Sequence, residues 1–365
     1  MPGSEFENTL IDGIYEAAIV PEGWSRVLRD TARLARCREA LLATVLDDDP
    51  RLIASSPEFG EAYEGLLQRI PFGVNERAQR LLAHGRHGFI TDQDVFSREE
   101  IAREPIYQDF LIPAGYGSGV ATVITAPTGD MTIVHCERSL ADGYVDAAGI
   151  AALQQLRSHF ARAGLISRRL AMERAHAASQ ALEMMGLPAA VLGLRGQVID
   201  ANDLFQGLMP SVFLDRSARL AVAHAPADEM LTAAIAAISQ PDRPQPVRSL
   251  PIPARHGEAP MVLHLAPVRG RARDVFSFAS AIVVATPVMA GAGPEAGLIG
   301  GLFDLTPAEA RLAAAIAGGH TPREAAQRLG VTEATARTTL KRILAKTGSR
   351  RQADLVGLLR SAAPR

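Results

Sequence analysis

The chain has 365 residues, 47% apolar and 21% charged, with a net charge of −2, which suits a soluble globular protein of two or three domains. No apolar run approaches the roughly 20 residues that span a bilayer, and no basic start with an apolar stretch opens the chain, so a cytoplasmic protein without a membrane partner is expected. Two cysteines, Cys37 and Cys136, argue against a disulfide framework or a cysteine-built metal site, and lysine only at 341 and 346 argues against a Walker-type phosphate loop or Schiff-base chemistry elsewhere.

Residues 8–145 mix helical and strand signals and are expected to form an α/β block. Apolar periodicity predicts helices at 8–18, 23–36, 60–70, 74–84 and 97–111. Runs rich in β-branched residues predict strands at 120–126 and 131–136 around Pro127-Thr128-Gly129-Asp130, and a third at 38–46 closed by Asp47-Asp48-Asp49-Pro50. Gly115-Tyr116-Gly117-Ser118-Gly119 precedes a strand rather than a helix N-terminus, so it reads as a turn, not a phosphate cradle. His84-x-x-His87 lacks a third ligand and reads as a surface pair, so no metal is expected. Cys136 reads as a small core residue. No nucleophile–base–orienter set is legible, so neither an enzyme nor a resident cofactor is expected. Trp24, Tyr63, Phe72, Tyr107, Phe110 and Tyr116 are the aromatics placed to line a pocket for a small-molecule effector, the competing reading being that each fills the core.

Residues 146–185 contain no proline and read as one connecting helix. Leu156, Ala163, Leu170, Ala177 and Met184 recur every seven residues, with Leu153, Phe160 and Ala181 beside them, so either a parallel coiled coil dimerising through Leu156 and Phe160 or a helix packed on its own domain is expected. Residues 186–287 run strand (189–194), turn, strand (197–200), an Asn202-capped helix through Met209, a helix (227–239) and three strands (247–252, 260–268, 278–285). Phe205, Phe213, Phe276 and Phe278 are this block's candidate pocket or core aromatics. Residues 288–300, rich in Gly, Ala and Pro, read as a linker.

Residues 301–365 hold eleven basic and five acidic residues, a net charge of +6 that leaves −8 on the rest of the chain. A basic terminal module on an acidic body suits binding to a phosphate backbone. Thr306-Pro307-Ala308-Glu309 opens a helix with a capping box, and Gly318-Gly319 stops it. A second helix runs from Pro322 to Leu329, Gly330 turns, Val331 plugs the core, and Thr332 caps a third helix from Glu333 to Lys346. Ala336, Leu340, Ile343 and Leu344 form its inner seam, while Arg337, Thr338, Lys341 and Arg342 project on the other side, where a recognition helix meets the major groove.

The spaced set Leu305-Thr306-x-x-Glu309, Gly319-x-x-x-x-Glu324-Ala325-Ala326-x-x-Leu329, Val331-Thr332-x-x-Thr335-x-Arg337 and Ile343-x-x-Lys346 resembles the DNA-binding domain of the LuxR family over about 60 residues. That resemblance implies base or phosphate contacts at Arg337, Thr338 and Lys341, with Thr332, Thr335 and Lys346 near the backbone. The sequence departs from the family at Thr339, where histidine is common, and at Ala325 and Ala336, where larger aliphatics are common. The resemblance also implies dimerisation through a last helix, 352–360, presenting Ala353, Val356 and Leu359. Ala190-Val191-Leu192 with Val198-Ile199-Asp200-Ala201-Asn202 is similar to a PAS domain, and Tyr107 to Gly115 with the two following strands to GAF-like or PAS-like sensors ahead of such a module. The expected architecture is therefore α+β: a GAF-like block, a long helix, a PAS-like block, then an all-α helix-turn-helix module. The expected function is a ligand-responsive, homodimeric transcriptional regulator on an inverted-repeat operator. Its partners would be double-stranded DNA, an unidentified effector and RNA polymerase. The alternative is a constitutive regulator whose sensor-like blocks serve only dimerisation and partner contact.

Overall fold

A computed structural model describes the chain except for residues 1, 47–48, 86, 127–129, 217, 239–245, 255–258, 269–278, 289–294 and 362–365. The fold is mixed α/β, with two antiparallel sheets followed by a helical module. The first block opens with α1 (Pro2–Ile19) and α2 (Trp24–Leu34), then β1 (Glu39–Leu46) and β2 (Asp49–Ala54). Next come α3 (Pro57–Arg69), α4 (Glu76–Ala83), β3 (Ile90–Thr91), α5 (Asp92–Val95), α6 (Arg98–Ile101), a π-helical turn (Ile106–Leu111), β4 (Gly117–Thr125) and β5 (Met131–Ser139).

The sheet order is β2-β1-β5-β4-β3, all antiparallel. Side chains alternate across the strands, so Ala40, Leu42, Val134 and Cys136 face one layer while Leu41, Ala43, Ile133 and His135 face the other. The first set joins α1, α2 and the long helix α7 (Ala147–Met184) in one core, and the second lies beneath α3, α4 and the π-turn. The block is a three-layer α/β/α sandwich with Cys136 fully buried.

Two expectations change here. The 97–111 helix divides, because Pro105 cannot donate to a continuing ladder, and the chain forms α6 and then the π-turn. The acidic turn after β1 is shorter than expected, since the strand β2 resumes at Asp49; Pro50, opposite Val45, is tolerated because β2 is an edge strand. Asp47, Asp48 and Pro127 to Gly129 lie outside the described residues.

The long helix α7 spans 38 residues from the Asp146 cap, whose carboxylate accepts the Gly149 amide at 2.8 Å. Leu156 and Phe160, expected as dimer contacts, are each 1% exposed and fill their own block's core, Phe160 stacking on Trp24 at 6.2 Å. The heptad row rotates away from that core: Leu156 and Ala163 are buried, Leu170 is half-buried, and Ala177 and Met184 are exposed. A straight helix at 3.6 residues per turn drifts by about 20° per heptad, so a seven-residue row cannot stay on one packed face. Ala175 and Ser179, farther along, are buried where α7 crosses the second block.

That block contains β6 (Ala189–Gly193), β7 (Val198–Ala201), α8 (Asp203–Gln206), a hairpin of β8 (Phe213–Arg216) and β9 (Arg219–Val222), α9 (Ala225–Ile238), β10 (Arg248–Ile252), β11 (Met261–Pro267) and β12 (Ala279–Pro287). Its order from the hairpin edge is β7-β6-β12-β11-β10, the same order as in the first sheet, again all antiparallel. Phe205 and Phe213 stack at 4.5 Å inside its core, while Phe276 and Phe278 lie outside the described residues. Asn202 is buried and satisfied: its Oδ1 accepts from Ala189 and Phe205 amides, and its Nδ2 donates to the Ser179 and Leu187 carbonyls.

The final module comprises α10 (Ala296–Phe303), α11 (Pro307–Ala317), α12 (Pro322–Leu329), α13 (Glu333–Thr347) and α14 (Gln352–Ser361). The expected linker thus ends in helix α10, whose Ile299 is fully buried against the module; residues 289–294 of that linker lie outside the description. Among the described residues no helix is long and apolar enough to cross a membrane.

Phe160→Ala should destabilise the first block by about 3–5 kcal/mol, through reduced burial and a cavity beside Trp24. Trp24 is the sole tryptophan, so its fluorescence in a denaturant titration reads this directly. Sedimentation of the folded variant should show the wild-type association state; loss of a dimer with unchanged stability would contradict the core assignment.

Candidate nucleic-acid interface and ligand cavity

The helix-turn-helix is assembled from capping chemistry. Thr306 and Glu309 form a capping box on α11, and Thr321 and Glu324 form another on α12. Gly330, at φ 69°, reverses the chain after α12, and the Val331 amide bonds the Ala326 carbonyl at 3.0 Å. The Val331 side chain does not plug the core as expected; it is 43% exposed. Thr332 then caps α13, its Oγ1 accepting the Thr335 amide at 3.1 Å. Ala325, Ala326 and Ala336 are buried together, so small side chains allow α12 and α13 to approach closely.

The buried seam of α13 is Ala336, Leu340 and Ile343, with Leu344 half-buried. Arg337, Thr338, Lys341 and Arg342 are exposed on the opposite side. Arg337 pairs with Glu333 at 2.8 Å, a one-turn surface contact with side chains 69% and 42% exposed, weak enough to be exchanged for a phosphate or base. Lys341 and Arg342 make no hydrogen bond or ion pair among the described residues. Thr338 Oγ1 donates to the Ala334 carbonyl at 3.0 Å, and the Thr332 and Thr335 hydroxyls lie 2.8 Å apart.

Lys346 occupies a different position. Its ammonium donates to the Asp304 carbonyl at 2.9 Å and to Glu309 at 2.8 Å, joining the end of α13 to the start of α11. The Lys346 bond and the Thr306 amide hold the Glu309 carboxyl down at about 2. Lys346 therefore sets how α13 sits on the module. The last helix also turns inward: Leu359, expected as a dimer contact, is fully buried with Leu355, Val356 is half-buried against the same core, and Ala353 is exposed.

A cavity of about 70 Å³ lies in the first block between the sheet and helices α3 and α4. Its walls are apolar, including Leu41, Leu52, Leu67, Leu81 and Ile133, and its polar groups are Tyr63, Asn75, Arg77 and His135. Of the six candidate aromatics, Tyr63 and Phe72 line it. Tyr107, Phe110 and Tyr116 belong to an adjoining cluster, and Trp24 lies in the core on the opposite face of the sheet. His84 and His87 are exposed, and among the described residues no group of three metal-ligating side chains occurs.

Arg77 organises the polar end. Its Nε and Nη2 donate to the two oxygens of Asp92 at 2.8 and 2.7 Å, and its Nη1 donates to Glu137 at 2.5 Å and to the Tyr63 hydroxyl at 3.3 Å. His135 Nε2 lies 2.9 Å from the same Glu137 oxygen. Burial alone would raise the Glu137 carboxyl, but Arg77 and then His135 prevail and bring it to about 2. The Tyr63 and Tyr107 phenols are raised chiefly by burial.

Gly119 makes this arrangement fit. A Cβ there would overlap an Arg77 guanidinium nitrogen, and the Gly119 amide donates to Asp92 at 2.7 Å. The glycines stand out along the chain, whereas Arg77, Asn75 and His135 do not. One signal for the polar cluster was present: Ile133, His135 and Glu137 alternate on a strand, placing two polar side chains on a face otherwise buried.

No family model and no curated protein matches the chain. Similar solved structures include the N-acylhomoserine lactone-dependent LuxR-family transcription factor CepR2 from Burkholderia cenocepacia, at 12% identity over 43% of this chain and 92% of that one, with a TM-score of 0.33. Escherichia coli SdiA is similar at 11% identity over 94% of this chain and 90% of that one, with a TM-score of 0.29. A Vibrio cholerae VqmA–ligand–DNA complex is similar at 17% identity over 50% and 90%, with a TM-score of 0.21.

Gly119→Ala should displace Arg77 and leave buried carboxylates uncompensated, costing about 3–5 kcal/mol in the Trp24-monitored transition. An unchanged midpoint would refute the steric assignment. In the last module, a depressed carboxyl contributes stability above its unfolded value and loses it as acid protonates the folded state. The Glu309 contribution is thus complete above about 4.5 and disappears towards about 2. Lys346→Met should flatten that acid limb in amide exchange at α11; an identical pH profile would exclude the Lys346–Glu309 bond as its source.

Proposed function

We propose that the protein is a DNA-binding transcriptional regulator that responds to a small molecule in its first block, and that it acts as a homodimer on an inverted-repeat site. The observation that carries this reading is α13: an exposed cationic face, Arg337, Lys341 and Arg342, on a helix braced from behind by α11 and α12. This is the geometry by which a recognition helix enters the major groove. The +6 charge of residues 301–365 supplies long-range attraction to the duplex. Thr332 and Thr335, at the front of the helix, would stand by the phosphate backbone, with Thr338 beside the bases.

The cavity beside Arg77 supports the sensory half of the reading, because a concave, mostly apolar site with a few convergent polar groups is the usual form of a small-molecule pocket. The shared strand order of the two sheets supports reading both as GAF-like or PAS-like units. Helix α7 packs on both blocks and offers a rigid route between them. A ligand shifts DNA affinity along that route only by binding one arrangement more tightly than the other. Dimer contacts would have to come from surfaces other than Leu156, Phe160 and Leu359, which are buried within one chain.

Arg337→Ala and Lys341→Ala should each weaken binding by about 1–3 kcal/mol for every base that the side chain reads. Where the side chain meets a phosphate instead, the slope of log affinity against log salt should fall by about one. Mobility shift on a duplex enriched from a random-sequence pool by the wild-type chain measures both. Wild-type affinity and salt slope in both variants would remove α13 as the reading helix.

A further inference from the structure

Cys37 and Cys136 are the two cysteines of a 365-residue chain, and the fold brings them together. Cys37 lies in the bend between α2 and β1, where Arg36 takes a left-handed φ of 52° and the Cys37 amide donates back to the Ala32 carbonyl at 2.8 Å. The next amide, that of Arg38, donates to the Glu137 carbonyl at 2.8 Å, which sets the bend against β5 one residue beyond Cys136. The strands then run in register, with Ala40 opposite Cys136. The Cys37 side chain packs on the core that encloses Cys136, and the two thiols are in hydrogen-bonding contact. The Cys37 thiol donates to the Ala35 carbonyl at 3.7 Å, so its sulfur is left to accept from Cys136. That bond, and then burial, push the Cys136 thiol well above its ordinary value and keep it protonated.

The pair is asymmetric. Cys136 is fully buried, whereas Cys37 is half-buried and reachable from solvent by a small molecule. A reachable sulfur beside an enclosed one is the arrangement in which the first meets an oxidant and the second resolves the product. Cys136 also sits between His135, which lines the cavity, and Glu137, which holds Arg77. Both of those side chains point to the other face of the sheet, so the sulfurs touch the same strand without entering the cavity.

We propose that Cys37 and Cys136 form an oxidation site that closes reversibly into a disulfide within one chain when the protein meets a hydroperoxide. The Cys37 sulfur attacks the peroxide and the O–O bond breaks. One oxygen stays on sulfur as a sulfenic acid, and the other leaves with the thiol proton as water or an alcohol. The Cys136 sulfur then attacks the Cys37 sulfur: the S–S bond forms, the S–O bond breaks, and hydroxide leaves with the Cys136 proton as water. Two electrons pass from the thiols to the peroxide, and a dithiol returns them by exchange. The bond ties the end of α2 to β5 between His135 and Glu137. This site goes beyond the sensory reading and does not depend on it.

The full-length chain is reduced, freed of reductant, treated with hydrogen peroxide, denatured and alkylated with iodoacetamide, and its intact mass is read. Untreated protein should carry an alkyl group on each cysteine. Treated protein should carry none, weigh two hydrogens less than the unmodified chain and run as a monomer on a non-reducing gel. Dithiothreitol should restore both alkylation sites. Cys37→Ser should leave Cys136 alkylated after the same treatment, and Cys136→Ala should hold at Cys37 a sulfenic acid that dimedone traps. Trp24 fluorescence in a denaturant titration checks that each variant is folded. Treated wild-type protein that keeps both alkyl groups, that gains oxygen at Cys37 while Cys136 stays alkylated, or that links two chains would in each case overturn the proposal.

Discussion

Helix α7 is built into the core of the first block and packs against β6 and β7 of the second, and the arrangement of the first two blocks follows from that. Leu153, Leu156 and Phe160 are fixed among α1, α2 and the first sheet, and Ser167 Oγ donates to the Ala18 carbonyl at 3.0 Å. Two turns further on, Ala175 and Ser179 are buried at the second block, where His176 and Ser179 both bond Asp200 and the Ser179 carbonyl accepts from Asn202. Between these attachments the chain has only helix, whose backbone bonds resist bending. A change in packing around Phe160 thus reaches Asp200 as a displacement of one stiff body rather than through a loop that would absorb it.

The Arg77 cluster shows a different kind of constraint. A buried guanidinium between two carboxylates adds little net stability over an apolar filling, because desolvation opposes the attraction. What it adds is specificity of shape: α4, α5, β4 and β5 must meet at one point, and Gly119 must lack a side chain for them to do so. The cavity beside the cluster is consequently bounded by groups that cannot easily shift.

Much of this was legible along the chain wherever local chemistry decides. The Thr306/Glu309 box, the Asn202 cap and the Thr332 cap all lie where residue spacing puts them, and the three helices of the final module follow. Helix α10 was not legible, because Gly297, Gly300 and Gly301 give its segment the composition of a linker; burial of Ile299 outweighs their low propensity. The β8–β9 hairpin was missed because its four-residue strands are joined by Ser217-Ala218, which lacks the turn glycine that marked the equally short β7. The cavity was the least legible feature. Arg77 finds Asp92 and Glu137 from 15 and 60 residues away, and no pattern within one element announces a meeting across three. Aromatic content pointed to the right block but also to Trp24, which differs from Tyr63 only in which face of the sheet it meets.

The pairing of β6 with β12 has a topological consequence. Ala189, the first residue of the second sheet, lies opposite Val284 near its last strand's end, and the Ala285 amide donates to the Pro188 carbonyl at 2.9 Å. The chain therefore enters and leaves this block at one corner, as though about a hundred residues had been spliced into a single joint. Strands β6 and β12 lie side by side at that corner, about 5 Å apart. A displacement carried along α7 would meet that corner without crossing the second block's interior, which hangs beside the chain's path as a side-loop.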